Sequence, residues 1–106
     1  MDELINKVIN LKGLVDYQES TIVSRQIIIE EAGDVTIFAM SKGQEIQAHS
    51  APFDALVQVL EGEGIYTIDD EDKKVKAGEI LIMPANILHA IKAEENFKWL
   101  LTKIKK

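Results

Sequence analysis

Between residues 22 and 104 the chain alternates short apolar, β-branched runs with turn residues, and no stretch in that span has the length and period of a helix. The runs cover 22–29, 35–40, 45–49, 55–60, 65–68, 73–76, 80–83, 88–93 and 97–104. Between them stand Glu31-Ala32-Gly33-Asp34, Ser41-Lys42-Gly43, the loop 50–54, Glu61-Gly62-Glu63-Gly64, the acidic turn 69–72, Ala77-Gly78-Glu79, Pro84-Ala85-Asn86 and Glu94-Glu95-Asn96. Nine strands joined this tightly leave no room for helical crossovers, so the chain is expected to be all-β, a sandwich or a small barrel. Gly62 and Gly64 read as a hairpin turn. Ahead of the strands, Leu4, Ile5, Val8, Ile9, Leu11, Leu14 and Val15 recur at mostly helical spacing, broken by Gly13, which predicts a short helix or arm over 1–20. One domain over 1–106 is expected, with the barrel at 22–104.

Composition narrows the function. The chain of 106 residues is 46% hydrophobic, enough for a packed core, and it holds no cysteine, which removes disulfides, thiol catalysis and cysteine-ligated zinc. Its net charge of −6 argues against a nucleic-acid partner. The cluster of Lys98, Lys103, Lys105 and Lys106 reads as a solvated terminal strand. No run is long enough to span a membrane. The segment Met1-Asp2-Glu3-Leu4-Ile5-Asn6-Lys7 carries acids early and no continuous apolar stretch, so no signal peptide is read there and the cytoplasm is the expected compartment.

Chemistry-bearing residues are few. The two histidines, His49 and His89, each follow a glycine and a strand pattern: Gly43-x5-His49, running on to Gly62, and Gly78-x5-Pro84-x4-His89. Imidazoles on two strands can meet in the mouth of a small barrel, where a metal or ligand would bind. Other signals are bland. The run Asp69-Asp70-Glu71-Asp72 lacks the spaced ligands and central glycine of a calcium loop. Ser50 has no acid-oriented base to activate it. Arg25, the single arginine, is expected on an outer strand face.

These residues resemble the cupin superfamily, whose motifs read G-x5-H-x-H-x3,4-E-x6-G and G-x5-P-x-G-x2-H-x3-N. Gly43, His49 and Gly62 match the first motif, but Ala51 stands at the second histidine position and Ala55 at the glutamate, with Asp54 one place before it. Gly78, Pro84 and His89 match the second, with Asn86 at its second glycine and Ala93 at its asparagine. The frame from Gly43 to Ala93 covers about half of the chain. It resembles the short single-domain conserved barrels of the family, and implies a double-stranded β-helix (jelly roll) and a homodimer.

In metal-binding cupins three histidines and a glutamate hold one divalent ion. Carried over by residue, only His49 and His89 remain as ligands for Zn, Mn, Fe, Ni or Cu. Candidate further donors are Gln47, on the strand face of His49, and Asp54 or Gln58 nearby. A regular strand would point Asp54 the wrong way unless Pro52 introduces a bulge. Phe53, Ile91, Ala51, Ala55 and Ala93 are expected to line an apolar pocket, and Val57 and Val59 to pack the core. Met40, Phe97, Trp99 and Leu101 are expected to form an exposed apolar face for the dimer. Three readings follow: a small-molecule-binding barrel with His49 and His89 in its pocket, a metal-dependent enzyme (isomerase, decarboxylase or dioxygenase) acting on a small organic substrate, or an interaction protein whose pocket is vestigial.

Overall fold

The computed structural model describes residues 2–105. Nine strands follow one another: β1 (Val23–Glu30), β2 (Gly33–Met40), β3 (Glu45–His49), β4 (Ala55–Glu61), β5 (Glu63–Ile68), β6 (Glu71–Lys76), β7 (Ile80–Met83), β8 (His89–Lys92) and β9 (Phe97–Ile104). They form two antiparallel sheets, a five-stranded one in the order β1-β2-β9-β4-β7 and a four-stranded one in the order β3-β8-β5-β6. The chain passes back and forth between the sheets, the winding of a double-stranded β-helix.

The two sheets face each other across one main core. Alternation along β9 places Phe97, Trp99 and Leu101 on the inner face, beside Val57 and Val59 of β4 and Met40 of β2. The four-stranded sheet supplies Tyr66, Ile68, Val75 and Ile91. Trp99 anchors this core. Its ring stacks on Phe38 at 4.4 Å, Tyr66 meets it edge-on at 5.6 Å, and its indole N–H donates to Met40 Sδ at 3.3 Å. The apolar face expected of Met40, Phe97, Trp99 and Leu101 is therefore internal. These residues are 0%, 0%, 1% and 9% exposed. The period-two pattern identified their common face, and the opposing sheet covers it.

The N-terminal segment, expected as a short helix or arm, is an arm with two short 3₁₀ helices, Asp2–Leu4 and Leu11–Leu14. Leu11, Leu14, Val15 and Tyr17 pack on Ile37, Ala39, Leu60 and Leu100, a second core on the outer face of the larger sheet. Lys98 serves this arm and is not solvated: it is 8% exposed, its ammonium donates to the Lys12 carbonyl at 2.7 Å, and it lies over the Tyr17 ring at 5.2 Å. Tyr17 Oη donates to Glu61 at 2.6 Å. Arg25 pairs with Glu3 on the outside at 2.9 Å.

Gly62 and Gly64 do not make a hairpin turn. β4 and β5 belong to different sheets, and Gly62 is the corner between them, with φ of 71°. A Cβ there would lie 2.3 Å from the Asn96 carbonyl oxygen, and one at Gly64 would lie 2.4 Å from the Phe97 ring. The start of β9 crosses this corner closely enough that only glycine fits. The acidic turn is shorter than expected. Asp69 and Asp70 alone turn the β5–β6 hairpin, at φ of 52° and 67°, and Glu71 already opens β6.

Candidate functional site

His49 ends β3 and His89 opens β8, and the two are cross-strand partners after a bulge in β3 between Ile46 and His49. Their rings meet edge-on with centroids 4.4 Å apart and Nε2 atoms 3.2 Å apart. The other nitrogen of each ring is held by the backbone two residues earlier: His49 Nδ1 lies 2.8 Å from the Gln47 carbonyl and His89 Nδ1 3.3 Å from that of Ile87. A carbonyl only accepts, so each Nδ1 carries the proton and each Nε2 offers a lone pair. His89 is buried, at 6% exposure, while His49 is open to solvent. Burial holds the His89 imidazole below its usual range, charge on His49 pushes it the same way, and the Ile87 carbonyl opposes them.

The pair opens into a cavity of about 290 Å³ between the sheets. The smaller sheet contributes Ile46, His49, His89 and Ile91, and the following loop adds Ala51 and Phe53. The larger sheet contributes Phe38, Ala55, Met83, Trp99, Leu101 and Lys103. Nine of these twelve side chains are apolar. The other three end in nitrogen, and no carboxylate lines the cavity.

A family model described as "Cupin domain" matches residues 36–103, well over half of the chain. The chain belongs to the cupin family. Among solved structures, this cupin is similar to a conserved protein of unknown function from Streptococcus pyogenes, at 39% identity and a TM-score of 0.90, over 95% of this chain and 89% of that one. It is likewise similar to a cupin 2 conserved barrel domain protein from Leptotrichia buccalis, at 47% identity and a TM-score of 0.89, over 92% of this chain and 47% of that one. A likeness to salicylate 1,2-dioxygenase from Pseudoaminobacter salicylatoxidans, at 16% identity and a TM-score of 0.73 over 78% of this chain and 25% of that one, is a likeness of fold alone. No curated protein matches the chain.

The cupin frame explains several departures from the family motifs. Asn86, at the position of a motif glycine, has φ of 65°, a conformation that asparagine tolerates better than most side chains. Its N–H donates to the Ala51 carbonyl at 2.7 Å. Ala51 and Ala55, at the missing ligand positions, both line the cavity with His49 and His89.

Of the residues expected to bind a ligand, His49, His89, Phe53 and Ile91 meet in this cavity. Gln47, Asp54 and Gln58 are not part of its lining. Gln47 is exposed. Gln58 lies on the outer face of β4, opposite Val57 and Val59. Asp54 accepts a hydrogen bond from the Ala85 N–H at 2.8 Å, so it fixes the loop before His89 instead of reaching a ligand. Ala93 is fully buried in the core. Among the described residues no three His, Cys, Asp or Glu side chains are grouped to hold a metal ion. The donor set thus does not fit a closed protein metal site: two imidazoles would leave the remaining positions to water or a ligand.

Lys103, expected in a solvated terminal strand, lines the cavity. The signal was available. Strict alternation from Phe97 through Trp99 and Leu101 carries Lys103 onto the same inner face. Its cross-strand neighbour on β2 is Asp34, 5% exposed. Asp34 pairs at 3.0 Å with Lys105 and only at 3.9 Å with Lys103. Lys106 lies outside the described residues.

Proposed function

We propose that this cupin binds a small, mainly apolar organic molecule in the barrel mouth, with His49 and His89 as its polar contacts and no tightly held metal required. The observation that carries this reading is the meeting of two Nε2 lone pairs, 3.2 Å apart, at a mainly apolar cavity. A volume of about 290 Å³ falls at the lower edge of the range of about 300–1,000 Å³ usual for small-molecule sites. That favours a compact molecule, one with a hydroxyl or similar donor to engage the imidazoles.

Trp99 is the only tryptophan and lines the cavity, so its fluorescence reports occupancy. The test is a titration of chelator-treated protein with small alcohols, phenols, acids and amides, alongside Ala51→Phe, which fills the mouth. Saturable quenching in the parent and its loss in Ala51→Phe are expected. Binding seen only after a divalent metal is added would overturn this reading.

One observation favours a second reading. The same bare Nε2 atoms offer two imidazole ligands to Zn, Mn, Fe, Ni or Cu, with water or substrate completing the shell, as a metal-dependent isomerase, decarboxylase or dioxygenase would need. A reaction lost on chelation and restored by one ion per chain would establish it.

We also propose a homodimer. The outer face of the larger sheet carries a row running Ile28, Val35, Thr102, Leu56 and Ile82, matched residue to residue across all five strands. Ile28 and Ile82 are 47% and 59% exposed. A flat apolar row of this kind is self-complementary to a second copy across a two-fold axis.

A further inference from the structure

The charge arrangement of the mouth selects among ligands. The cavity is lined by His49 and His89 from one sheet and Lys103 from the other, with no acidic side chain among its described walls. Lys103 is only loosely engaged. Asp34, its cross-strand neighbour, makes its close ion pair with Lys105 at 3.0 Å and stands 3.9 Å from Lys103. Among the described residues one carboxylate, Asp34, therefore faces two ammonium groups, Lys103 and Lys105, an excess of one positive charge beside the mouth. A cation beside apolar walls sits in a medium of low effective dielectric, where an anion is attracted far more strongly than in water.

We infer that Lys103 anchors the carboxylate of a small monocarboxylic acid whose apolar body fills the space between Trp99, Phe38 and Ile91. This rests on the small-molecule reading above and names its ligand class. The ammonium takes the carboxylate charge, and an imidazole Nε2 accepts a donor hydrogen from the ligand's body. Asp34 acts as a competitor for Lys103 that an incoming carboxylate displaces.

The test compares matched pairs that carry a hydroxyl donor, each carboxylate with its primary amide: para-hydroxybenzoate with para-hydroxybenzamide, para-hydroxyphenylacetate with para-hydroxyphenylacetamide, mandelate with mandelamide. Trp99 fluorescence is read at constant ionic strength in parent, Lys103→Met, Lys103→Arg and Asp34→Asn. In the parent the carboxylates are expected to bind about tenfold more tightly than the amides. Lys103→Met abolishes that preference by weakening the carboxylates far more than the amides, Lys103→Arg retains it, and Asp34→Asn enlarges it. Equal affinity for acids and amides in the parent overturns the anchor and leaves the small-molecule reading standing. Failure of both series to bind overturns both. Equal weakening of acids and amides in Lys103→Met, with a lowered melting temperature, shows that Lys103 only supports the fold, and again overturns the anchor. Should Lys103→Met not fold, Asp34→Asn and Lys103→Arg still decide the matter.

Discussion

His49 and His89 present their Nε2 atoms to each other at 3.2 Å while each Nδ1 is committed to a backbone carbonyl. Two neutral rings in this state oppose lone pair to lone pair. The arrangement is relieved by one proton between them, or by a ligand donor or cation taking its place. A second proton is opposed by the first, in line with the depressed His89 value and its dependence on His49. His49→Ala removes the smaller of the two lowering causes. Nitrogen-15 NMR titration is expected to find the His89 midpoint raised, yet still below the ordinary imidazole value because burial remains.

The same shift links stability to pH. His89 is held neutral in the folded protein, with its affinity for protons lowered from a usual value of 6.5. The unfolded chain therefore binds more protons than the folded one as pH drops below that value. This contribution is present in full above the ordinary imidazole range and is lost as pH falls toward the lower folded value. Melting temperatures taken from about pH 7.5 to about pH 5.5 should decline in the parent and decline less in His89→Gln.

Restoring the family's missing ligands should create a metal site. Ala51 and Ala55 line the same cavity as His49 and His89. Ala51→His with Ala55→Glu supplies the imidazole and carboxylate that a closed donor set needs. Calorimetric titration with a divalent transition metal should show affinity for one ion per chain rising by about a hundredfold or more over the parent. An unchanged affinity would mean that these positions do not converge with the histidines.

The motif glycines divide into two kinds. Gly78 has φ of 89° and open space where a Cβ would lie, so Gly78→Ala bears only a backbone cost, about 1–2 kcal/mol. Gly62 adds a backbone clash at 2.3 Å to its φ of 71°, and Gly62→Ala should cost more than Gly78→Ala, about 3 kcal/mol or above. Chemical denaturation of the two variants side by side gives the difference.

If the proposed dimer forms through the apolar row, Ile82→Glu places a charge at the exposed end of that row in each copy and should yield monomers in sedimentation velocity. Leu88→Glu is the control. Leu88 is also exposed, at 58%, but lies in the loop before β8, away from that row. Dissociation by both variants, or by neither, would count against this face.

Strand boundaries were legible because each run is short, β-branched and closed by glycine, proline or an acidic turn; the strand pattern predicted 80–83 and 97–104, and β7 and β9 occupy those spans. The histidine pair was legible from its glycine frames. What local pattern lacks is the partner of a face. Phe97, Trp99 and Leu101 lie on one side of β9 by period alone, but whether that side meets water or a second sheet depends on Tyr66, Ile68, Val75 and Ile91, which belong to other strands. Gly62 misled for a related reason: a turn and a passage between sheets carry the same residue. Lys103 was grouped with its charged neighbours in sequence, although alternation along the strand separates them. Asp54 was near the mouth as expected, but its bond to Ala85 closes a loop that single-sequence reasoning did not join to it.

The corner at Gly62 and Gly64 has a consequence for how such a chain can change over time. One end of the barrel admits no side chain at two positions, because Asn96 and Phe97 already occupy the space. The other end is walled by alanines and side chains from a loop, which can be exchanged without disturbing that crossing. Variation is thereby channelled to the mouth. A lineage built on this plan can trade one occupant for another repeatedly while inheriting the same foundation intact.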